Sequence, residues 1–135
     1  MRKLTTNFNL SEFVLNKFAK NQAEQQRVID SLTEDIEKSI EELAKNLQVL
    51  RDELGARITV NIGFRPKWWE LLRGRSGKSQ HACGKAADIV VNGFTPAQVA
   101  NTIERLIAEG RMKQGGLKAY NTFVHYDIRG VRARW

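Results

Sequence analysis

Residues 29–64, IDSLTEDIEKSIEELAKNLQVLRDELGARITVNIGF, change their hydrophobic period once, and that change decides the fold. Ile29, Leu32, Ile36, Ile40, Leu43, Leu47, Leu50 and Leu54 recur at spacings of three and four, the repeat of one helix face, and Gly55 supplies the stop. Beyond it Ile58, Val60, Ile62 and Phe64 alternate with Arg57, Thr59, Asn61 and Gly63, which marks a strand with one buried face. The first pattern predicts a long amphipathic helix at about 24–54. From Ile29 onward it would span roughly 40 Å, long for so small a domain. Either it lies across a sheet or its upstream half meets another chain. A core-facing helix is preferred, because a coiled-coil seam alone would leave no helix for the sheet, but a homodimer through this helix stays open.

Working outward, residues 10–20 (LSEFVLNKFAK) predict a short helix capped by Ser11, with Phe13, Val14 and Phe18 on one side. Residues 66–85 read as loop, punctuated by Pro66, Gly74, Gly77 and Gly84, and Ala86–Val91 as a short strand. Thr95-Pro96-Ala97-Gln98 combines a cap, a first-turn proline and a capping-box glutamine, opening a helix that Gly110 ends. Gly115-Gly116 turns the chain into a last strand around Phe123 to Ile128. The order predicts an α+β domain: a small, mainly antiparallel sheet with the amino-terminal helices packed against it.

With 135 residues and 41% hydrophobic content, one domain over 1–135 can bury a core without disulfides. The lone Cys83 excludes an internal disulfide and a cysteine-based metal site, and reads as a small packing residue. No run approaches transmembrane length, and MRKLTTNFNLSEF lacks the apolar stretch of a signal peptide. The expectation is a chain made in the cytoplasm without its own export signal. The net charge of +7 is unevenly spread. Residues 1–54 carry eight basic and ten acidic side chains, whereas 65–85 and 111–135 each carry a net +5, and those two stretches hold the two histidines. Such a surface either attracts a polyanion or is simply solvated.

Each histidine lies in a short segment with a carboxylate: Ser79-Gln80-His81-Ala82-Cys83-Gly84-Lys85-Ala86-Ala87-Asp88, and His125-Tyr126-Asp127. Zinc takes imidazole nitrogen or carboxylate oxygen, and a catalytic site supplies three ligands and leaves a fourth position open. His81, Asp88 and His125 meet that count. In strand 86–91, Asp88 shares a face with Ala86 and Val90; in the last strand, His125 and Asp127 share one. From the residues alone, metal ligation and two structural histidines both stand.

The segment Ser79–Asp88 fits S-x-H-x-x-G-x-A-x-D and so resembles the M15 zinc peptidases, which include D-alanyl-D-alanine carboxypeptidases and phage endolysins that cleave peptidoglycan peptides. GGLKAYNTFVHYDIRGVRARW (115–135) is similar to members with a late F-V-H-x-D and a terminal R-x-W. Ile62-Gly63-Phe64-Arg65-Pro66 resembles their strand ending S-G-Y-R-S, and NFNLSEF the amino end of some relatives. The resemblance implies Zn2+ held by His81, Asp88 and His125, with Arg65 facing the cleft to pair with a peptide carboxylate or the developing oxyanion. It implies that Ser79 contacts substrate. The chain departs from the pattern at Thr122 and Phe123, where many relatives place a catalytic Glu or His.

Asp127 is then either the general base or the partner that orients His125. Tyr120 is an oxyanion donor and substrate contact, or a core tyrosine; Trp68-Trp69 are a ligand rim or, preferred, a loop anchor. The expected activity is metal-assisted hydrolysis of a peptidoglycan stem peptide, by a phage or prophage lysin that reaches the wall or periplasm after release by another protein. The bond is that of a DD-carboxypeptidase or endopeptidase, or of an L-Ala-D-Glu endopeptidase. The alternatives are an inactive zinc-containing wall-binding domain and, ranked last, a basic nucleic-acid-binding module.

Overall fold

The strand with six residues, Ala86–Val91 (β2), is apolar except at Asp88 and is buried along its length except at Val90. In the computed structural model, which describes residues 1–15 and 17–135, it is an inner strand of the sheet. Here β2 lies between Ile58–Ile62 (β1) and Val124–Asp127 (β4), and Leu117–Ala119 (β3) completes a four-stranded sheet in the order β1-β2-β4-β3. All three pairings are antiparallel. The β1–β2 register runs Ile58 to Val91 and Val60 to Ile89, then shifts so that Ile62 faces Asp88. An irregularity of this kind bends the strand and re-aims the residues that follow, here the chain leading to Arg65.

The helices are Ser11–Val14 (α1), Gln22–Asp30 (α2), Glu34–Leu54 (α3), Lys67–Leu72 (α4) and Pro96–Ala108 (α5), with a 3-10 turn at Gln80–Cys83. The fold is α+β, with the amino-terminal helices packed against the sheet. Helix α3 contributes Ile40, Leu43, Ala44, Leu47 and Leu50 to one core with Ala87, Ile89 and Val91 of β2 and Val99, Ile103 and Leu106 of α5. Its apolar face is therefore used within the chain. Helix α5 starts as its sequence predicts: the Thr95 hydroxyl accepts from the Gln98 amide, and the Gln98 side chain accepts from the Thr95 amide. Among the described residues no helix is long and apolar enough to cross a membrane.

Three expectations are corrected. The helix expected over 24–54 is two, because Thr33 caps a new start: its hydroxyl accepts from the Ile36 amide at 3.1 Å, and Glu34, Asp35 and Glu37 fill the first turn, where negative charge is favoured. Helix α3 is about 31 Å long at 1.5 Å per residue. The helix expected over 10–20 ends at Val14, while position 16 lies outside the described residues. Ser11 is its first residue and not its cap; the Glu12 carboxylate takes the Asn9 amide, and Phe18 is 54% exposed. The expected loop 66–85 contains α4 and the 3-10 turn, short elements among one proline and three glycines that leave little periodicity to read. Trp68 and Trp69 anchor α4 to α2, donating to Ser31 Oγ at 2.7 Å and Glu24 Oε1 at 3.1 Å.

Leu47 is fully buried and Leu72 is 67% exposed. Leu47→Ala is expected to lower unfolding free energy in urea by about 2–5 kcal/mol, and Leu72→Ala by less than about 0.5 kcal/mol.

Candidate metal centre

The sheet register builds most of the site. Asp88 stands directly opposite His125 in the β2–β4 ladder, so their side chains leave the same face as neighbours. His81 comes from the 3-10 turn, which Gly84 closes at φ +75°. A Cβ at Gly84 would lie 2.9 Å from Ile40 Cγ1 and 3.0 Å from the Ile36 carbonyl oxygen, so the turn docks on α3 only because this residue has no side chain. The turn is fixed from the other side by the Arg65 amide, which donates to the His81 carbonyl at 3.0 Å.

Each imidazole is oriented by its far nitrogen. His81 Nδ1 is 2.8 Å from the Gly63 carbonyl oxygen, which only accepts, so this nitrogen carries the proton and Nε2 presents a lone pair. That Nε2 is 3.3 Å from Asp88 Oδ1. His125 Nε2 is 2.8 Å from Asp127 Oδ2, and its Nδ1 is 3.1 Å from Asp88 Oδ1. Ligand atoms of His81, Asp88 and His125 all lie within 4.8 Å of one another. A tetrahedral zinc with bonds near 2.0–2.1 Å separates its donors by roughly 3.3–3.5 Å, so the 3.3 Å and 3.1 Å spacings fit that ion. The three residues are buried at 3%, 7% and 9% exposure, and together they could hold one metal.

Charge balance points the same way. Burial alone would raise the Asp88 carboxyl, but hydrogen bonds and charge from His125 and His81 outweigh it and hold the group well below the usual carboxylate range. Burial would lower His125, yet Asp127 and Asp88 together raise it. Asp127 is likewise driven down against its burial, by His125, Arg129 and the backbone amides of Gly116 and Arg129.

Asp127 does not reach the cleft. It is 0% exposed, and its oxygens receive the Gly116 amide at 2.9 Å, the Arg129 amide at 3.1 Å, and Arg129 Nε and Nη2 at 2.8 and 2.7 Å, besides His125. Gly116 is what lets the backbone come so close: a Cβ there would fall 2.2 Å from Asp127 Oδ2. A proton acceptor for a cleft water needs access that Asp127 lacks, so of the two roles expected for it the geometry favours the partner that orients His125.

The three ligands line a cleft together with four cationic residues, Arg65, Arg75, Lys78 and Arg129, and three aromatic ones, Tyr120, Phe123 and Trp135. Ser79 and Gln80 line it as well. Arg65 is only 5% exposed; its Nη2 is 3.7 Å from Glu70 Oε2, and its buried Nε has no hydrogen-bond partner. Tyr120 is 38% exposed, not a core residue, and stacks on Phe123 at 4.6 Å. Trp135 meets the His125 ring edge-on at 5.1 Å and donates from Nε1 to the Tyr120 hydroxyl at 3.2 Å. Glu70, Trp135 and Arg129 were not singled out from the sequence. The terminal R-x-W was a signal for Trp135, and Glu70 was visible only as the one acid in a basic stretch.

Two results are expected from this geometry. Asp127→Asn should weaken zinc binding about 10–100-fold without changing the stoichiometry, as read by competition with a chromophoric chelator. Because His125 Nδ1 must shed its proton to accept a metal, and its pKa is raised, zinc affinity should fall as pH drops through that pKa. Calorimetry in buffers of differing ionisation heat should register the released proton.

Comparison with curated proteins gave no match, and comparison with solved structures gave none. The family model described as Peptidase M15 matches residues 11–127, a span that takes in α1, the whole sheet and all three candidate ligands. This chain belongs to the M15 peptidases, a family of zinc-dependent metallopeptidases.

Proposed function

We propose that this chain is a zinc peptidase that hydrolyses an amide bond in peptidoglycan stem peptides, with His81, Asp88 and His125 holding the ion. The observation that carries the reading is the convergence of those three ligands in a cleft lined by four cationic residues. Bound zinc would supply Lewis-acid polarisation of the scissile carbonyl and an acidified water. The chain's own residues do the rest. Asp127, locked by Arg129, keeps the His125 proton on Nε2 and so leaves the Nδ1 lone pair for the metal. Arg65 lines the cleft and its Nη2 stands beyond hydrogen-bond distance of Glu70, which suits the guanidinium to a peptide carboxylate or to a carbonyl oxygen gaining charge. The Tyr120 hydroxyl accepts from Trp135, which leaves its own proton to donate to the same oxygen. Arg75 and Lys78 add positive charge to the cleft, where anionic substrate carboxylates and wall polymers arrive.

The reading extends to a phage or prophage lysin that acts at the wall or periplasm, cutting either as a DD-carboxypeptidase or endopeptidase or at L-Ala-D-Glu. A second reading has one observation in its favour. Among the described residues Asp88 is the only carboxylate lining the cleft, so these residues offer no second carboxylate there to act as general base. A zinc-containing domain that binds wall peptide without cutting it has this composition.

Mass spectrometry of muropeptides decides between them. Purified peptidoglycan treated with the zinc-loaded protein is expected to yield fragments with new amine ends, identifying the bond, and His81→Ala to yield none above background. Absence of new ends from zinc-loaded wild type, with retained binding to the wall, would replace hydrolysis by recognition.

A further inference from the structure

Glu70 is a buried acid that the proposed chemistry does not use. It is 2% exposed on α4, does not line the cleft, and touches two residues that do. Its Oε1 accepts the Ser79 hydroxyl at 2.5 Å, and its Oε2 lies 3.7 Å from Arg65 Nη2. Among the described residues Arg65 is the one cation it faces at ion-pair distance, and burial of that guanidinium, which lowers its pKa, is opposed first of all by Glu70.

The manner of pairing separates Arg65 from the arginines that build the scaffold. Arg129 grips Asp127 with two donors at 2.8 and 2.7 Å. Arg134 grips Glu104 at 3.1 and 2.7 Å and adds bonds to the Gly115 and Ala133 carbonyls and to Gln114. Arg65 is more deeply buried than either, yet its carboxylate stands beyond hydrogen-bond distance and its Nε is unpaired. Charge is balanced while the Nη end, which Glu70 does not hold at hydrogen-bond distance, is left over beside the cleft that Arg65 lines. Ser79 is the complement: with its proton given to Glu70, its oxygen can only accept from the cleft side. One carboxylate thus sets a donor and an acceptor side by side, the pair that a peptide group's C=O and N–H require.

We propose that Glu70 is a positioning residue, holding Arg65 as a donor and Ser79 as an acceptor for the peptide bond that enters the cleft. This rests on the peptidase reading. Glu70→Gln keeps the volume and removes the charge. At equal zinc content its kcat on a muropeptide is expected to fall about 10–100-fold with KM changed less than about threefold. In an Arg65→Ala/Ser79→Ala background the same change should matter less than about twofold, since its effect passes through those two residues. Glu70→Asp, which restores the charge, should recover activity to within about fivefold of wild type. A crystal structure of zinc-loaded Glu70→Gln should show the Arg65 guanidinium displaced, with His81, Asp88 and His125 in place. Equal losses in both backgrounds, no recovery with Asp at equal zinc content, or an unmoved guanidinium would each overturn the proposal. Failure of wild type to cut any muropeptide would sink the peptidase reading instead, and the guanidinium position would still judge Glu70.

Discussion

The Asp88 carboxylate is the constraint on which the rest depends. It is 7% exposed on one of the two inner strands of the sheet, and a single oxygen stands 3.3 Å from one imidazole and 3.1 Å from another. An ionised carboxylate taken out of water costs several kcal/mol unless positive charge or donors meet it. This chain arranges two rings around it, which serve as partners when protonated and as fellow ligands when a cation replaces the protons. The burial that makes the acid costly also strengthens its hold on a cation at that point.

Much of the molecule is arranged to bring those rings there and aim them. The β2–β4 register supplies His125, and the glycine-closed 3-10 turn docked on α3 supplies His81. Each ring is then fixed through the nitrogen that faces away, one by the Gly63 carbonyl and the other by Asp127. Fixing the far nitrogen selects the tautomer as well as the angle, which is how outer groups control a metal site. Around the cleft the same arrangement recurs: the buried carboxylates Asp127 and Glu70, which do not line it, contact His125, Arg65 and Ser79, which do.

What the sequence disclosed and what it hid follow from the range of each interaction. Strand β2 and helix α5 were legible because their signals are local: a short apolar run between turns, and a cap, a proline and a glutamine within four residues. The grouping of His81, Asp88 and His125 was legible through the motif that carries them. The break between α2 and α3 was not, since the apolar spacing continues through Ile29, Leu32 and Ile36 and masks the Thr33 cap. Helix α4 was hidden by its length and by the glycines around it. Asp127 looked equally suited to two roles because only the fold reveals that Arg129 and Gly116 close over it. Glu70 gave no sign of burial, as its partners Arg65 and Ser79 lie five and nine residues away along an irregular path.

Anomalous scattering at the zinc edge, from crystals of the zinc-loaded protein, tests the central claim most directly. The account predicts one peak, roughly 2.0–2.2 Å from His81 Nε2, an Asp88 oxygen and His125 Nδ1, with Asp127 on the opposite nitrogen of His125. A peak bound through His125 Nε2 with Asp127 as a ligand, or no peak at this site with stoichiometric zinc present, would contradict it.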